Sequence, residues 1–475
     1  MQTSRIALFA VKCRISILLL QCLANNCIPD HLADATHLEK NASLSSSWID
    51  ATLLFLLDGF QKWDAVHYTH IAAHGYNHPR LLAFQPLLPW LLRQFDLWAI
   101  SPIFGNLVHT YTRILLIGTT FNISAFAISA ILLYKLSYKV LQNQILAIVS
   151  VTMYCINPAS IFMSSLYTES LYACCSFGGM LCWQYPTNLT GYLLGTLAFT
   201  LAVAVRSNGM VLIGFVGYTL LLYRLKTASS GRLFLFEIIY YACQTIVLLL
   251  PFAIAILSPF YMFQSYGMRK FCNSSHQVEP LPWCNKDLSI PYWEVQRKYW
   301  NVGFLRYYQL KQIPNFILAA PMVTLCIFAI RKYLHCWNSL YASFLGSFHQ
   351  TRASSQLPIT FGNPAMFVYI IHVLFLTIFG LTSMHVQVIT RLIASSSPVI
   401  YWFTAYSIIQ GIKHRSKDPS EMNYADWLQN WDNFESIRRI YLSNKLDFTG
   451  RLAVIYFLTY SIIGTVVHSN FYPWT

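Results

Sequence analysis

Apolar windows of roughly 20 residues, the length that crosses the hydrocarbon core of a bilayer, recur about eleven times along this chain. They lie near 5–23, 107–134, 145–163, 168–185, 190–205, 209–223, 235–263, 314–330, 364–383, 392–411 and 452–468. Inside lipid every backbone amide must find a partner within its own segment or a closed barrel, so such windows are expected to be helices. The fold class that follows is an all-α polytopic membrane protein with about 11 transmembrane helices. Composition agrees: 56% of the residues are hydrophobic and 11% charged, where soluble domains carry about 25% charged. Pro158, Pro251 and Pro259 fall within the windows, as they do where helices pack on one another rather than on lipid. The stretch 81–100 is interrupted by Pro86, Pro89, Arg93 and Asp96 and is read as an interfacial or re-entrant helix.

The balance of 32 Lys+Arg against 18 Asp+Glu gives +14, which in a soluble chain would suggest a nucleic-acid partner. Here the basic residues form no stripe; they gather in short connections at Lys135/Lys139, Arg224/Lys226/Arg232, Arg331/Lys332/Arg352 and Lys413/Arg415/Lys417. That is the positive-inside pattern, and no nucleic acid is expected. Arg5, Lys12 and Arg14 open the first window, read as an uncleaved anchor that starts in the cytosol; alternation then places the C-terminus on the lumenal side. The chain is read as one integral membrane unit, 1–475, with a first lumenal loop at 25–106, a large lumenal loop at 264–313 and a cytosolic connector at 412–451. Asn41 and Asn273 are N-glycosylation acceptors in form on the far side, whereas Asn122 lies in a window and Asn188 on the cytosolic side. The 12 Cys show no metal-ligand spacing; Cys272 and Cys284 share the large loop, where an oxidising compartment would allow a disulfide.

Chemistry is sought among the few polar residues at window edges, because ionisable groups at membrane depth are costly unless used. Asp64 sits in Trp63-Asp64-Ala65-Val66-His67-Tyr68, with His70, His74 and Tyr76 following. A half-buried carboxylate among aromatics and neutral imidazoles suits general-base work on a hydroxyl; equally, Asp64 is well typed as the N-cap of a helix over 65–73. His67, His70, His74 and His78 recur at spacings of three and four, but no His-Glu-x-x-His pattern accompanies them and no metal site is expected. Glu169 and Arg206 lie at predicted lumenal window ends and are candidates either for substrate contact or for a structural ion pair. In His385-Val386-Gln387-Val388-Ile389-Thr390-Arg391 the arginine is placed either to grip a phosphate or to snorkel to head groups.

Taken in order, several motifs become familiar: Trp63-Asp64-Ala65, His74-Gly75-Tyr76, Phe84-x-Pro86, Asn157-Pro158-Ala159-Ser160 and Val205-Arg206-Ser207-Asn208-Gly209. They continue as Tyr299-Trp300-Asn301-Val302-Gly303-Phe304-Leu305, Pro314-Asn315-Phe316, His385-Val386-Gln387, Pro398-x-x-Tyr401-Trp402 and Asn470-Phe471-x-Pro473-Trp474-Thr475. The ordered set resembles the PIG-V family of GPI mannosyltransferases. The resemblance implies a multi-pass endoplasmic reticulum enzyme of C-type glycosyltransferase (GT-C) architecture. It would transfer the second mannose, in α-1,6 linkage, from dolichyl phosphate mannose to the GPI anchor precursor in the lumen. No cofactor is implied, and fungal relatives act with a small accessory membrane subunit. The family's acidic motif falls on Asp64, although Val66 stands where relatives often carry Glu. An inverting displacement would make Asp64 the base, with Arg391, Arg206 and His385 as candidates for the departing phosphate and Gln387, Trp63, His74, Tyr76 and Glu169 as further substrate-binding candidates. A transporter and a non-catalytic membrane subunit are the alternative readings.

Overall fold

A computed structural model describes residues 2–31, 47–105, 107–184, 189–228, 235–272, 281, 283–284, 290–337, 361–415, 431 and 446–474. Among the described residues every regular element is helical. In chain order the α-helices are α1 (Gln2–Cys27), α2 (Trp48–Leu57), α3 (Asp64–His74), α4 (Leu87–Phe95), α5 (Ser101–Phe104), α6 (Thr110–Leu141), α7 (Gln144–Cys155), α8 (Ser160–Ser164) and α9 (Glu169–Cys182). They continue as α10 (Leu189–Val205), α11 (Ile213–Ala228), α12 (Leu235–Cys272), α13 (Pro291–Trp300), α14 (Ile313–Trp337), α15 (Phe367–Ser383), α16 (Ile389–Ser396), α17 (Val399–Arg415) and α18 (Phe448–His468). The helices of the centre pack α6 on α1, α7 and α9, α10 on α9 and α12, and α17 on α7 and α18.

Seven helices among the described residues are long and apolar enough to cross a membrane, or eight if α16 and α17, bent by 78° at Ser397-Pro398, form one broken span. The expected count of about eleven is therefore not reached, and the difference lies in three places. The windows 145–163, 168–185 and 190–205 contain α7, α9 and α10, of 12, 14 and 17 residues. At 1.5 Å per residue these are roughly 18, 21 and 25 Å long, short of a core of about 30 Å. The first of them ends because Asn157-Pro158 turns the chain: Asn157 Nδ2 donates to Tyr154 O at 2.8 Å and its Oδ1 accepts from Ala159 N at 2.9 Å. Ile156, Ala159, Ile161 and Phe162 around that turn are all buried, so hydropathy runs straight through the break.

Arg14 is not at a cytosolic margin. It lies in the middle of α1, fully buried, with Nη1 donating to Ser160 O at 2.6 Å and Nη2 to Cys155 O at 2.7 Å. The guanidinium sits 4.1 Å from the Phe126 ring centroid. At Cys155 O the cation answers an acceptor at the C-terminal end of α7, and through Ser160 on α8 and Phe126 on α6 it ties α1, α6, α7 and α8 together.

The segment 81–100 folds as α4 and a following turn that buries Asp96 against Arg113, 2.7 Å from Arg113 Nε. Trp90, Leu97 and Trp98 point outward, Trp98 with 81% of its surface exposed. The segment thus has one side packed in the protein and an apolar side turned outward. α12 runs to Cys272, well into the stretch read as the large loop, and Cys272 is disulfide-bonded to Cys284 with Cα atoms 5.4 Å apart. Asn41, Asn273, Asn188 and most of the 412–451 connector lie outside the described residues.

Candidate active site

α3 opens on Asp64 after a turn that ordinary residues avoid. Trp63 has φ 57° and ψ −125°, a backbone conformation costing a non-glycine residue on the order of 1–3 kcal/mol unless its surroundings enforce it. They do so from three sides. Tyr167 Oη accepts from the Asp64 backbone N–H at 3.1 Å and faces Lys62 O at 3.4 Å, with His468 Nε2 3.3 Å from the same oxygen. Lys62 is buried between Asp30 and Asp58, at 2.8 and 2.9 Å, and lies 4.8 Å from the Phe471 ring. Phe471 in turn packs against Trp63. At its other end α3 stops at Gly75, whose φ of 75° favours glycine.

The N-cap of α3 is Trp63, which makes no side-chain capping bond. The Asp64 carboxylate therefore caps nothing: its Oδ2 accepts from Arg391 Nη2 at 2.9 Å. Arg391 belongs to α16, and its guanidinium lies 5.3 and 5.4 Å from the Phe162 and Tyr167 rings. Its Nη1 is 3.7 Å from Glu169 Oε1, the same oxygen that pairs with Arg206 Nη1. Arg206 also donates to Thr168 Oγ1 and Asn208 Oδ1, both at 3.3 Å, and Asn208 Nδ2 reaches Ser396 on α16. Gly209 allows this turn to close, because a Cβ there would meet the Ala202 carbonyl carbon at 2.7 Å. The result is a row of alternating charge, Asp64, Arg391, Glu169, Arg206, drawn from four elements.

Access to solvent differs along the row. The side chain of Asp64 is 31% exposed and those of Arg391 and Arg206 are 15% and 14%, while Glu169 has none. Burial alone would raise the Asp64 pKa, but the Arg391 guanidinium, by charge and hydrogen bond, with His67 and Arg206 behind it, holds the carboxyl below its ordinary value. Burial holds the His67 imidazole below its ordinary range against the pull of Asp64, so it stays neutral near pH 7. An open carboxylate beside two arginines is equipped to take a proton from a hydroxyl and to receive an anion.

A sequence model of the family described as Mannosyltransferase (PIG-V) matches residues 3–475. The chain belongs to the PIG-V mannosyltransferase family. It is 33% identical to the GPI alpha-1,6-mannosyltransferase 2 of Cricetulus griseus and 32% identical to that of Homo sapiens, in each case over 98% of this chain and 97% of the relative. The GPI mannosyltransferase 2 of Drosophila melanogaster is 30% identical over the full length of both chains. Among solved structures, the apo oligosaccharyltransferase of Archaeoglobus fulgidus matches with a TM-score of 0.42 at 10% identity, over 96% of this chain and 55% of that one. This PIG-V chain thus spans just over half the length of that structure.

Within this family member the candidate residues separate. Asp64, Arg391, Glu169 and Arg206 come together. Glu169, expected among the substrate-binding residues, is fully buried and serves as counter-ion to two arginines. Tyr76, expected there too, is buried with its hydroxyl donated to Phe84 O at 2.8 Å, which ties the turn after α3 to the start of the next segment. His74 is exposed and bonded to Tyr111 Oη at 2.7 Å, away from the charged row. His385 Nε2 faces Trp300 O at 2.5 Å and stacks on Tyr307, while Gln387 Oε1 accepts from Tyr307 Oη at 2.6 Å. Both hold the segment after α13 against the α15–α16 junction. No group of three or more His, Cys, Asp or Glu among the described residues is placed to hold a metal ion. Tyr167, Lys62 and His468 were not singled out in the sequence. Tyr167 stands two residues before Glu169, but nothing local marks it as the support of a turn 103 residues away.

Proposed function

We propose that this chain transfers mannose from dolichyl phosphate mannose to a GPI anchor precursor on the lumenal face of the endoplasmic reticulum, forming the α-1,6 bond of the second mannose. GT-C architecture, action without a cofactor and the possibility of a small accessory membrane subunit belong to the same reading. The relatives of matching length bear the names of GPI mannosyltransferases, α-1,6 in the two mammalian ones, which supports the transfer to GPI. The observation that carries the mechanism is the direct contact of a partly exposed carboxylate with a mostly buried guanidinium, Asp64 with Arg391 at 2.9 Å.

Transfer from a β-linked lipid phosphate to an α-glycoside inverts the anomeric carbon. The acceptor hydroxyl attacks on the face opposite the phosphate, loses its proton to a base, and the C–O bond to phosphate breaks with its electron pair leaving on the phosphate. Asp64 is the base, and Arg391, with Arg206 beside it, meets the negative charge growing on the leaving phosphate. Microsomes carrying this chain, given labelled dolichyl phosphate mannose and a one-mannose GPI precursor, are expected to form a two-mannose lipid. Properly inserted protein that yields no labelled product overturns the reading.

A further inference from the structure

Arg391 is assigned to the donor's phosphate, yet it is already occupied. Its Nη2 donates to Asp64 Oδ2, its Nη1 leans towards Glu169, and its buried Nε has no hydrogen-bond partner among the described residues. A guanidinium offers a phosphate two bidentate edges, Nε with Nη2 and Nη1 with Nη2, and both include the nitrogen that Asp64 holds. A phosphate on either edge would therefore share a nitrogen with a carboxylate. Two anions that close repel strongly in a pocket screened from bulk water.

From this we infer that Asp64 and the phosphate of the sugar donor compete for Arg391, so that arrival of the donor releases the base. The inference rests on the assignment of Asp64 as base and Arg391 as phosphate ligand. Glu169 makes the exchange feasible: fully buried and paired to Arg206, it stays beside Nη1 and retains the guanidinium when Asp64 lets go. Once Arg391 turns to phosphate, burial is left as the main influence on Asp64, and a buried carboxylate is a stronger base than one paired with arginine. The hydroxyl is then deprotonated only where a donor is in place. Free of donor, the carboxylate is tied to Arg391 and weakly basic.

The test is equilibrium binding of a short-chain isoprenyl phosphomannose to the full chain in nanodiscs without acceptor. That probe is a phosphodiester, so its charge does not change near neutral pH. A contact closed in about nine molecules of ten lowers apparent affinity about tenfold, so Asp64→Asn is expected to bind the probe about tenfold tighter than wild type. Arg391→Ala is expected to bind more weakly, and in that background Asp64→Asn should bring no gain. An Asn variant with unchanged or reduced affinity overturns the inference. So does a gain that persists in the double variant, which would mark repulsion through space rather than competition for Arg391. So does unchanged affinity in Arg391→Ala. Should the Asn variant prove unstable in a thermal melt, Asp64→Ala serves in its place. Failure of the base assignment is read separately, as near-normal mannosyl transfer by Asp64→Asn, whatever its affinity.

Discussion

For Asp64 the amide variant separates charge from shape. Asp64→Asn keeps the shape, offers Arg391 only a neutral and weaker acceptor and cannot take a proton, and is expected to lose about 100-fold or more in transfer rate at normal abundance, measured with the microsomal assay. Near-normal turnover would leave Asp64 a purely structural partner of Arg391. The sign of the pH effect follows from the same contact. Because Arg391 overrides burial and keeps the carboxyl below its ordinary value, the pair's contribution to stability is fully present above an ordinary Asp pKa of 3.8 and is lost as pH falls through the depressed value. Arg391→Gln removes the main influence that opposes burial, so the acidic limb of the pH–rate profile should move to higher pH, and an unmoved limb would show that Arg391 does not set the basicity of Asp64. Asp64, Glu169, Arg206 and Arg391 were each legible in the sequence as ionisable groups near window ends. Their partners were not. Composition left Arg391 between phosphate and head groups and gave no hint of Asp64, because 327 residues separate the two and no local period records such a contact. For Glu169 and Arg206 the ion pair was one of two open readings, and the structure forms that pair.

Helices were legible where their apolar runs are uninterrupted, as in α6, α12, α14, α15 and α18, and blurred where a turn is itself apolar and buried. That is why α7, α8 and α9 read as two full windows: hydropathy measures transfer to an apolar medium and is blind to whether that medium is lipid or protein. Arg14 shows the opposite error. Its charge suggested a membrane margin, and only the carbonyls of Cys155 and Ser160 explain its place in mid-helix. Replacing it by Leu removes the donors but leaves both acceptors buried, so Arg14→Leu should destabilise the fold by about 3 kcal/mol. The measurement is a thermal melt of detergent-solubilised protein, and a melting temperature within a degree of wild type would mean that those carbonyls find other donors.

On the scale of the whole molecule the proposed orientation has a direct reporter. With the first residues in the cytosol, Asn41 and Asn273 are expected to carry glycans and Asn188 none, so Asn41→Gln and Asn273→Gln together should abolish the mobility shift caused by glycosidase treatment. A glycan on Asn188 would reverse the orientation and place Asp64 in the cytosol. The 327 residues between Asp64 and Arg391 also have a meaning in time. At a synthesis rate of about 5–20 residues per second, Arg391 leaves the ribosome roughly 16–65 s after Asp64. Tyr167 arrives early in that interval and His468 still later, so the turn at Trp63 is made long before the last of its supports. A nascent chain arrested just before Arg391 has most of its candidate spans already made, yet holds a carboxylate without its arginine and a turn without His468 to support it.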